Sequence, residues 1–280
     1  MEGEPGRIEP LFVSPGSMIV TFAGLHLRRL GGWMAVADLI ALLGAAGQSA
    51  TAVRQALSRL KIRGFLTPER RDGRAGYSLT EAATADLEIG DARIFRYGEA
   101  SELDGWVLAI FSVPEDARVE RHRLRSRLSW MGFGIVSPGV WIAPAALADR
   151  SRLQLRSQGL DGYVTWCTGH FADAVDPGKW WDLDSLRRLY SQFLNRWEAD
   201  RGGENRGSRG GPEAEIFAAD LLLVDSWRQF PRIDPGLPAA LLPVDWQGRR
   251  AFDVFTTLRN RWSTDAQEFV AHRLHAERQA

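Results

Sequence analysis

The sequence predicts an α+β protein of several domains: a small helical module closed by a β-hairpin, a middle βαββαβ domain, and a helical C-terminal domain. Three observations predict it. Residues 17–79 read as helices followed by a hairpin, residues 106–167 read as strand, helix, strand, strand, helix, strand, and beyond residue 180 the apolar positions recur at helical spacing. The boundaries fall at residues 11–98, 99–172 and 173–280, with a flexible polar loop at 202–211. A chain of 280 residues buries a large core without disulfide or metal staples.

Lys and Arg total 35 and Asp and Glu total 35, so the formal net charge is zero and affinity for a polyanion has to come from local asymmetry. The single cysteine, Cys167, has no internal partner, which fits a reducing compartment, and cytoplasm is the expectation. The N-terminal MEGEPGRIEP lacks the basic start and apolar run of a signal peptide. No stretch approaches the roughly 18 continuous apolar residues of a membrane helix, so no membrane partner is expected.

The first helix is expected over Ser17 to Leu27, apolar all round, followed by Arg28-Arg29 and a break at Gly31-Gly32. A second, amphipathic helix runs from about Met34 to Leu43, and Gly44-Ala45-Ala46-Gly47-Gln48 connects it tightly to a third. That third stretch is Ser49 to Gly64, SATAVRQALSRLKIRG. The Ser49 hydroxyl can accept from a first-turn amide, and Gly64 tolerates the left-handed conformation past a helix end. With Val53 at zero and about 100° per residue, Ala56, Leu57 and Leu60 share its stripe, while Thr51, Arg54, Gln55, Ser58 and Arg59 point elsewhere. The displayed side chains can bond base edges and phosphates, although for this helix alone an ordinary solvated polar face is the competing reading.

Helix, Gly-containing turn, helix is the helix-turn-helix pattern. Beyond it, Phe65-Leu66-Thr67 and Tyr77-Ser78-Leu79 can pair around Arg70-Arg71-Asp72-Gly73-Arg74, where Asp-Gly favours a tight hairpin turn. From Ser49 to Leu79 there are seven basic residues (Arg54, Arg59, Lys61, Arg63, Arg70, Arg71, Arg74) against Glu69 and Asp72, a local excess of five positive charges in a neutral chain. That is the electrostatic footprint of phosphate contact, and the module reads as a winged helix-turn-helix with double-stranded DNA as partner. Ser49, Thr51, Arg54, Gln55, Ser58, Arg59, Arg70, Arg71 and Arg74 are the candidate DNA-binding residues; a merely solvated hairpin is the alternative for the wing. Thr80 to about Tyr97 reads as a connector helix, either continuous or interrupted near Gly90.

Trp106 to Val113, WVLAIFSV, is a continuous apolar run of strand formers. Ser112-Val113-Pro114-Glu115 fits a capping box opening a helix to about Met131. Short strands are expected at Gly134 to Val136 and Val140 to Ile142, a helix from Pro144 to Gln158, and a last strand at Gly162 to Cys167 with Cys167 in the core. The order is that of a ferredoxin-like domain. Glu115 and Asp116 stand at the end of its first strand, where a nuclease would place metal-binding acids, and the helix dipole accounts for them equally. Arg118, Arg121, Arg123, Arg125 and Arg127 give either a further DNA-facing surface or a solvated face. Farther on, Trp180-Trp181 opens a helix to about Arg201, and helices follow at Pro212 to Gln229, Pro238 to Leu242, Arg249 to Trp262 and Thr264 to His275.

The string AVRQALSRLKIRGFL from Ala52, then WVLAIFSVPED, WMGFGIVSPGVWIAP and WRQFPRIDPGLPAALLPVDWQG, resembles the PaaX-type phenylacetate-degradation repressor family. The likeness runs from about Leu11 to His275, with an acid-containing N-terminal tail and the glycine-rich segment 202–211 as departures. It implies a transcriptional repressor with a winged helix, a middle domain similar to a small CRISPR-associated nuclease, homodimerisation, and release from a palindromic operator by phenylacetyl-CoA or another aromatic acyl-CoA.

No Walker loop, dinucleotide fingerprint or nucleophile elbow is present, so neither enzyme nor resident cofactor is expected. His272 and His275 with Glu268 lack a further ligand, and no metal site is expected. A small-molecule effector is expected at the border of the middle and C-terminal domains, around Trp166, His170, Trp180, Trp181 and Arg187, where aromatic walls meet a few polar groups; interdomain packing is the competing reading of these aromatics. A metal-dependent nucleic-acid-processing enzyme using Glu115 or Asp116, and a purely structural interaction protein, are the other functional readings.

Overall fold

The computed structural model describes residues 13–95, 104–201 and 213–279. The N-terminal tail and the segment 202–211 lie outside them. Two compact units are formed. One contains residues 13–95, 192–201, 213–228 and 250–279; the other contains residues 104–191 and 229–249.

The first unit starts with α1 (Pro15–Leu25), capped by Ser14, whose Oγ accepts from Ser17 N at 3.1 Å. It begins two residues ahead of the expected Ser17 because Pro15 takes the first helical position, where its missing N–H costs nothing. The chain then enters a short strand, β1 (Trp33–Ala35), in place of the expected helix start at Met34. Three residues carry too little pattern to be read as a strand; β1 exists because Trp33, Met34 and Ala35 pair with Ser78, Tyr77 and Gly76 more than forty residues on. α2 (Val36–Ala45) and α3 (Ala50–Ile62) follow, then the hairpin β2 (Leu66–Arg71) and β3 (Arg74–Leu79). The three strands form an antiparallel sheet in the order β1-β3-β2. α4 (Glu81–Phe95) runs through Gly90 without a break. It packs on α1, where Arg28 bridges Gly24 O and Asp91, and no kink is needed to reach those contacts.

The core of this unit is completed by the second part of α7 (Leu183–Arg201), α8 (Glu213–Trp227) and most of α10 (Gly248–Gln279). The two helices expected at 249–262 and 264–275 are one, because Ser263 and Thr264 sit within an unbroken ladder and Trp262, Ala266 and Val270 continue one buried stripe. α1 is tied to α8 through polar groups as well as apolar ones. Ser17 Oγ and Thr21 Oγ1 both donate to Asp225 Oδ1, at 2.7 and 2.6 Å, and Arg228 closes on the same carboxylate at 3.1 Å.

The second unit is a four-stranded antiparallel sheet of β4 (Trp106–Phe111), β5 (Gly134–Ser137), β6 (Val140–Pro144) and β7 (Val164–Gly169), in the order β5-β6-β4-β7. With α5 (Arg118–Trp130) and α6 (Ala148–Ser157) between strands, the element order is the βαββαβ read from the sequence. Alternation along β4 divides the faces. Val107, Ala109 and Phe111 join Leu124, Leu128 and Leu155 under the helices, whereas Trp106 joins Ile142, Trp181 and Leu237 on the other face.

Two local expectations fail here. No capping box forms: α5 is preceded by a 3-10 turn, Glu115–Ala117, and neither turn nor helix has a side-chain cap. Glu115 instead accepts from Arg121 at 3.2 Å, a charge-assisted partner stronger than a backbone amide. Cys167 is exposed rather than buried, because alternation along β7 turns Val164 and Trp166 toward the helix-covered core and Cys167 to the opposite face. Near the C-terminus the short α9 (Phe230–Ile233), unmarked in the sequence, packs on α5.

Candidate nucleic-acid interface

α3 is built as the sequence reading required. Ser49 Oγ accepts from Ala52 N at 3.2 Å, so this hydroxyl is occupied as a cap while remaining exposed. At the other end Gly64 takes φ 72°, and the bonds Gly64 N to Lys61 O and Phe65 N to Leu60 O close the helix. Val53, Ala56, Leu57 and Leu60 are buried and hold α3 against α1 and α2. Thr51, Arg54, Gln55, Ser58 and Arg59 are all exposed. Burying the four apolar side chains stabilises the helix by several kcal/mol, about 1.5–3 for each large one, and this fixes which residues face outward.

One further side chain belongs to the outward line. Ile62 is 80% exposed. It stands about 180° from Val53 in projection, beside Thr51, Gln55 and Ser58. The same helical projection that sorts the other positions carries this signal, an apolar residue on an otherwise polar face.

The wing divides into held and unheld arginines. Asp72 and Gly73 form the turn with φ 49° and 75°, the positive pair that a two-residue hairpin needs. Arg70 is exposed and reaches only back to Gly73 O, at 2.5 Å. Arg71 is clamped by Glu69 at 2.7 and 3.1 Å, and its guanidinium lies 5.5 Å from the centre of the Trp33 ring. Ser78 donates to the same Glu69, and together with Arg71 it holds the Glu69 carboxyl below its usual range, the Arg71 bond being the larger cause. Arg74 is paired with Asp38, a buried residue in the first turn of α2. Of the candidate set, then, α3 displays five side chains beside Arg70; Ser49 serves as a cap, and Arg71 and Arg74 brace the hairpin against β1 and α2.

The proposed effector residues fall on two faces of the second sheet. Trp180 and Trp181 form an aromatic cluster with Trp106 and Phe171, the Trp106–Trp180 centroids being 5.4 Å apart. Trp166 lies on the helix-covered face against Phe133, under the Arg152 guanidinium. His170 is exposed close to Gly105, and Arg187 bridges Asp184 and Asp245 at 3.0 and 3.1 Å. A cleft of about 480 Å³ beside the cluster is lined by Trp181, Leu183, Leu241 and the acids Asp176, Asp182 and Asp184.

Glu115 and Asp116 are exposed. His272 meets Glu213 at 3.8 Å. Among the described residues no group of three His, Cys, Asp or Glu side chains is placed to hold a metal ion, and no helix is long and apolar enough to cross a membrane.

A capped helix displaying Arg54, Gln55 and Arg59, next to a hairpin with Arg70 at its tip, gives the N-terminal module a cationic outer surface. The chain belongs to the PaaX family: the PaaX-like protein model matches residues 14–83, the PaaX protein central Cas2-like domain residues 100–179, and the PaaX-like protein C-terminal domain residues 181–272. It is 27% identical over 269 residues to the transcriptional repressor PaaX of Escherichia coli (strain K12), an alignment covering 93% of this chain and 84% of that protein. It is also similar to the structure of the uncharacterized protein Rv0674 from Mycobacterium tuberculosis, with a TM-score of 0.56 and 25% identity over 94% of this chain and 99% of that one.

Proposed function

We propose that this chain is a cytoplasmic, ligand-responsive transcriptional repressor that binds a palindromic operator as a homodimer. Its N-terminal module acts as a winged helix-turn-helix, with α3 in the major groove and the Asp72-Gly73 hairpin on the adjacent backbone. The single observation that carries the reading is the division of α3 into a fully buried stripe, Val53, Ala56, Leu57 and Leu60, and an outward line of Thr51, Arg54, Gln55, Ser58 and Arg59. Ile62 extends that line with an apolar surface suited to a thymine methyl group. The relative in Escherichia coli is a transcriptional repressor, which supports the same direction of control.

The test is selection of bound sequences from random duplexes by the full-length protein, followed by affinity measurements over a range of salt. An enriched palindrome with half-site centres about 10 base pairs apart, or a multiple of that, is expected. Recovery of no sequence preference at any salt overturns the reading.

The effector is proposed to be phenylacetyl-CoA or another aromatic acyl-CoA, recognised through the aromatic cluster of Trp106, Trp180 and Trp181. A shift in melting temperature across thioesters and free aromatic acids tests this, since a ligand that binds only the folded state raises stability by mass action. The Cas2-like name of the middle-domain family favours one alternative, a metal-dependent nuclease working through Glu115 or Asp116. Incubating labelled DNA with a divalent cation and the Glu115→Gln/Asp116→Asn variant separates the two: cleavage lost in the variant supports the nuclease, and binding without turnover supports the repressor.

A further inference from the structure

The winged module is not the only basic segment of this neutral chain. Residues 121–160 contain seven arginines against a single acid, Asp149, an excess of six positive charges where the stretch from Ser49 to Leu79 has five. The fold gathers this second excess onto one surface. α5 and α6 cover the same face of the four-stranded sheet, with Leu124 and Leu128 of one and Leu155 of the other in a shared core, and the two helices touch. On the outside of α5, His122, Arg123, Ser126 and Ser129 are exposed, and Arg125 and Arg127 are half-buried.

Some of these arginines have structural partners. Arg121 donates to Val113 O and Glu115 at 2.8 and 3.2 Å, Arg156 donates to Asp161 at 3.1 Å, and Arg152 lies over the Trp166 ring. Arg123, Arg125 and Arg127 form no hydrogen bond or ion pair among the described residues, and neither do Glu120 and Asp149, the only acids within the two helices. On α7 and α10, by contrast, Arg187 bridges Asp184 and Asp245, and Arg250 holds both oxygens of Glu198. Arg127 stands in the last turn of α5, where the helix dipole favours a cation. That accounts for Arg127 alone. Arg121 with Arg125, and Arg123 with Arg127, are like charges one turn apart, which weakens an isolated helix. A solvated face usually relieves such repulsion with interspersed acids; the outer side of α5 leaves it unrelieved.

We infer that the outer surface of α5 is a second DNA-binding surface, in which Arg123, Arg125 and Arg127 contact the phosphate backbone beside the half-site read by α3. Duplex DNA as the partner rests on the repressor reading. A duplex presents one negative charge per about 1.7 Å of axis, which suits a row of cations with no acid among them. Arginine and serine are phosphate-contacting side chains, and α5 carries no asparagine or glutamine to read adenine. The contact therefore adds affinity and salt dependence without sequence preference.

The experiment measures binding of the full-length protein, over a range of salt, to a selected operator flanked by about 15 base pairs on each side, one and a half helical turns, and to a random duplex of the same length. Arg123→Gln/Arg127→Gln should weaken both by about tenfold or more and lower the slope of log affinity against log salt by about two for each bound subunit. The preference for operator over random duplex should stay as in the wild type. Arg123→Lys/Arg127→Lys keeps the charge and should keep affinity and slope. Arg188→Gln/Arg201→Gln removes the same charge from exposed positions of α7 and should change neither. Glutamine matches arginine in helix propensity, so the far-UV spectrum and melting temperature of the variant should be those of the wild type. The random duplex reports on α5 even if no operator is selected, which separates this test from that of the repressor reading. An unchanged slope in Arg123→Gln/Arg127→Gln, or an equal loss in the α7 variant, overturns the inference. So does a loss confined to single-stranded RNA or to vesicles of anionic lipid.

Discussion

Arg74, at the start of β3, is paired with the buried Asp38 of α2, so a residue counted in the sequence among the phosphate ligands ties the wing to the helix that precedes α3. Arg74→Ala leaves that carboxylate without its guanidinium. The expected loss is about 2–3 kcal/mol of stability, with little change in the salt dependence of DNA binding for protein that remains folded. Denaturant unfolding of Arg74→Ala, Asp38→Ala and the double variant checks it: the double variant should recover part of the loss, because the two side chains act as a unit.

Arg54 and Arg70 should behave in opposite ways. Arg54 stands on the outward side of α3, and Arg54→Ala should weaken specific operator binding by about tenfold to a hundredfold while leaving non-specific binding nearly unchanged. Arg70, at the hairpin tip, should contact phosphate; Arg70→Ala should weaken all sequences alike and reduce the slope of log affinity against log salt by about one. Competition assays with operator and scrambled duplexes separate the two.

Gly76 is a point of close approach in the same sheet. A Cβ there would fall 2.6 Å from the Trp33 ring and 2.5 Å from Met34 O. The carbonyl belongs to β1 and cannot turn aside as a side chain does, so Gly76→Ala must separate β1 from β3. A loss of about 2 kcal/mol or more is expected, together with a red-shifted tryptophan emission as Trp33 is exposed. An unchanged melting temperature would count against the packing of the hairpin on β1.

His26 gives the first unit a pH dependence. Burial between Phe22 and Phe217, reinforced by the charges of Arg259 and then Arg29, pushes its imidazole down from 6.5 to about 3. The folded state therefore keeps it neutral while the unfolded chain takes up a proton below pH 6.5. The stability it contributes is present above that pH and is lost as pH falls toward 3, with a limiting slope of ~1.4 kcal/mol per pH unit. Chemical denaturation of wild type and His26→Leu between pH 7 and 4 should show the wild type losing stability relative to the variant as the pH drops. Parallel curves would show that another group titrates.

Ser49 and Gly64 fixed both ends of α3 from the sequence alone, because capping chemistry is local. The same is true of the Asp72-Gly73 turn and of the βαββαβ order, which are written in short apolar runs and turn residues. Helical projection was enough to separate Val53, Ala56, Leu57 and Leu60 from the residues displayed. What contacts between distant residues decide was not legible. β1 is a strand only because β3 lies beside it; Arg74 is a brace only because Asp38 is buried next to it; Cys167 is exposed because its side chain stands on the face of β7 opposite the helix-covered one. Trp166 and Trp181, close in sequence and alike in chemistry, pack on opposite faces of the sheet: Trp166 by its place in β7, and Trp181 because the chain beyond β7 brings it against Trp106 on the other face. Period, cap and turn depend on neighbours a few residues away, whereas partner, burial and face depend on which segments the folded chain brings together.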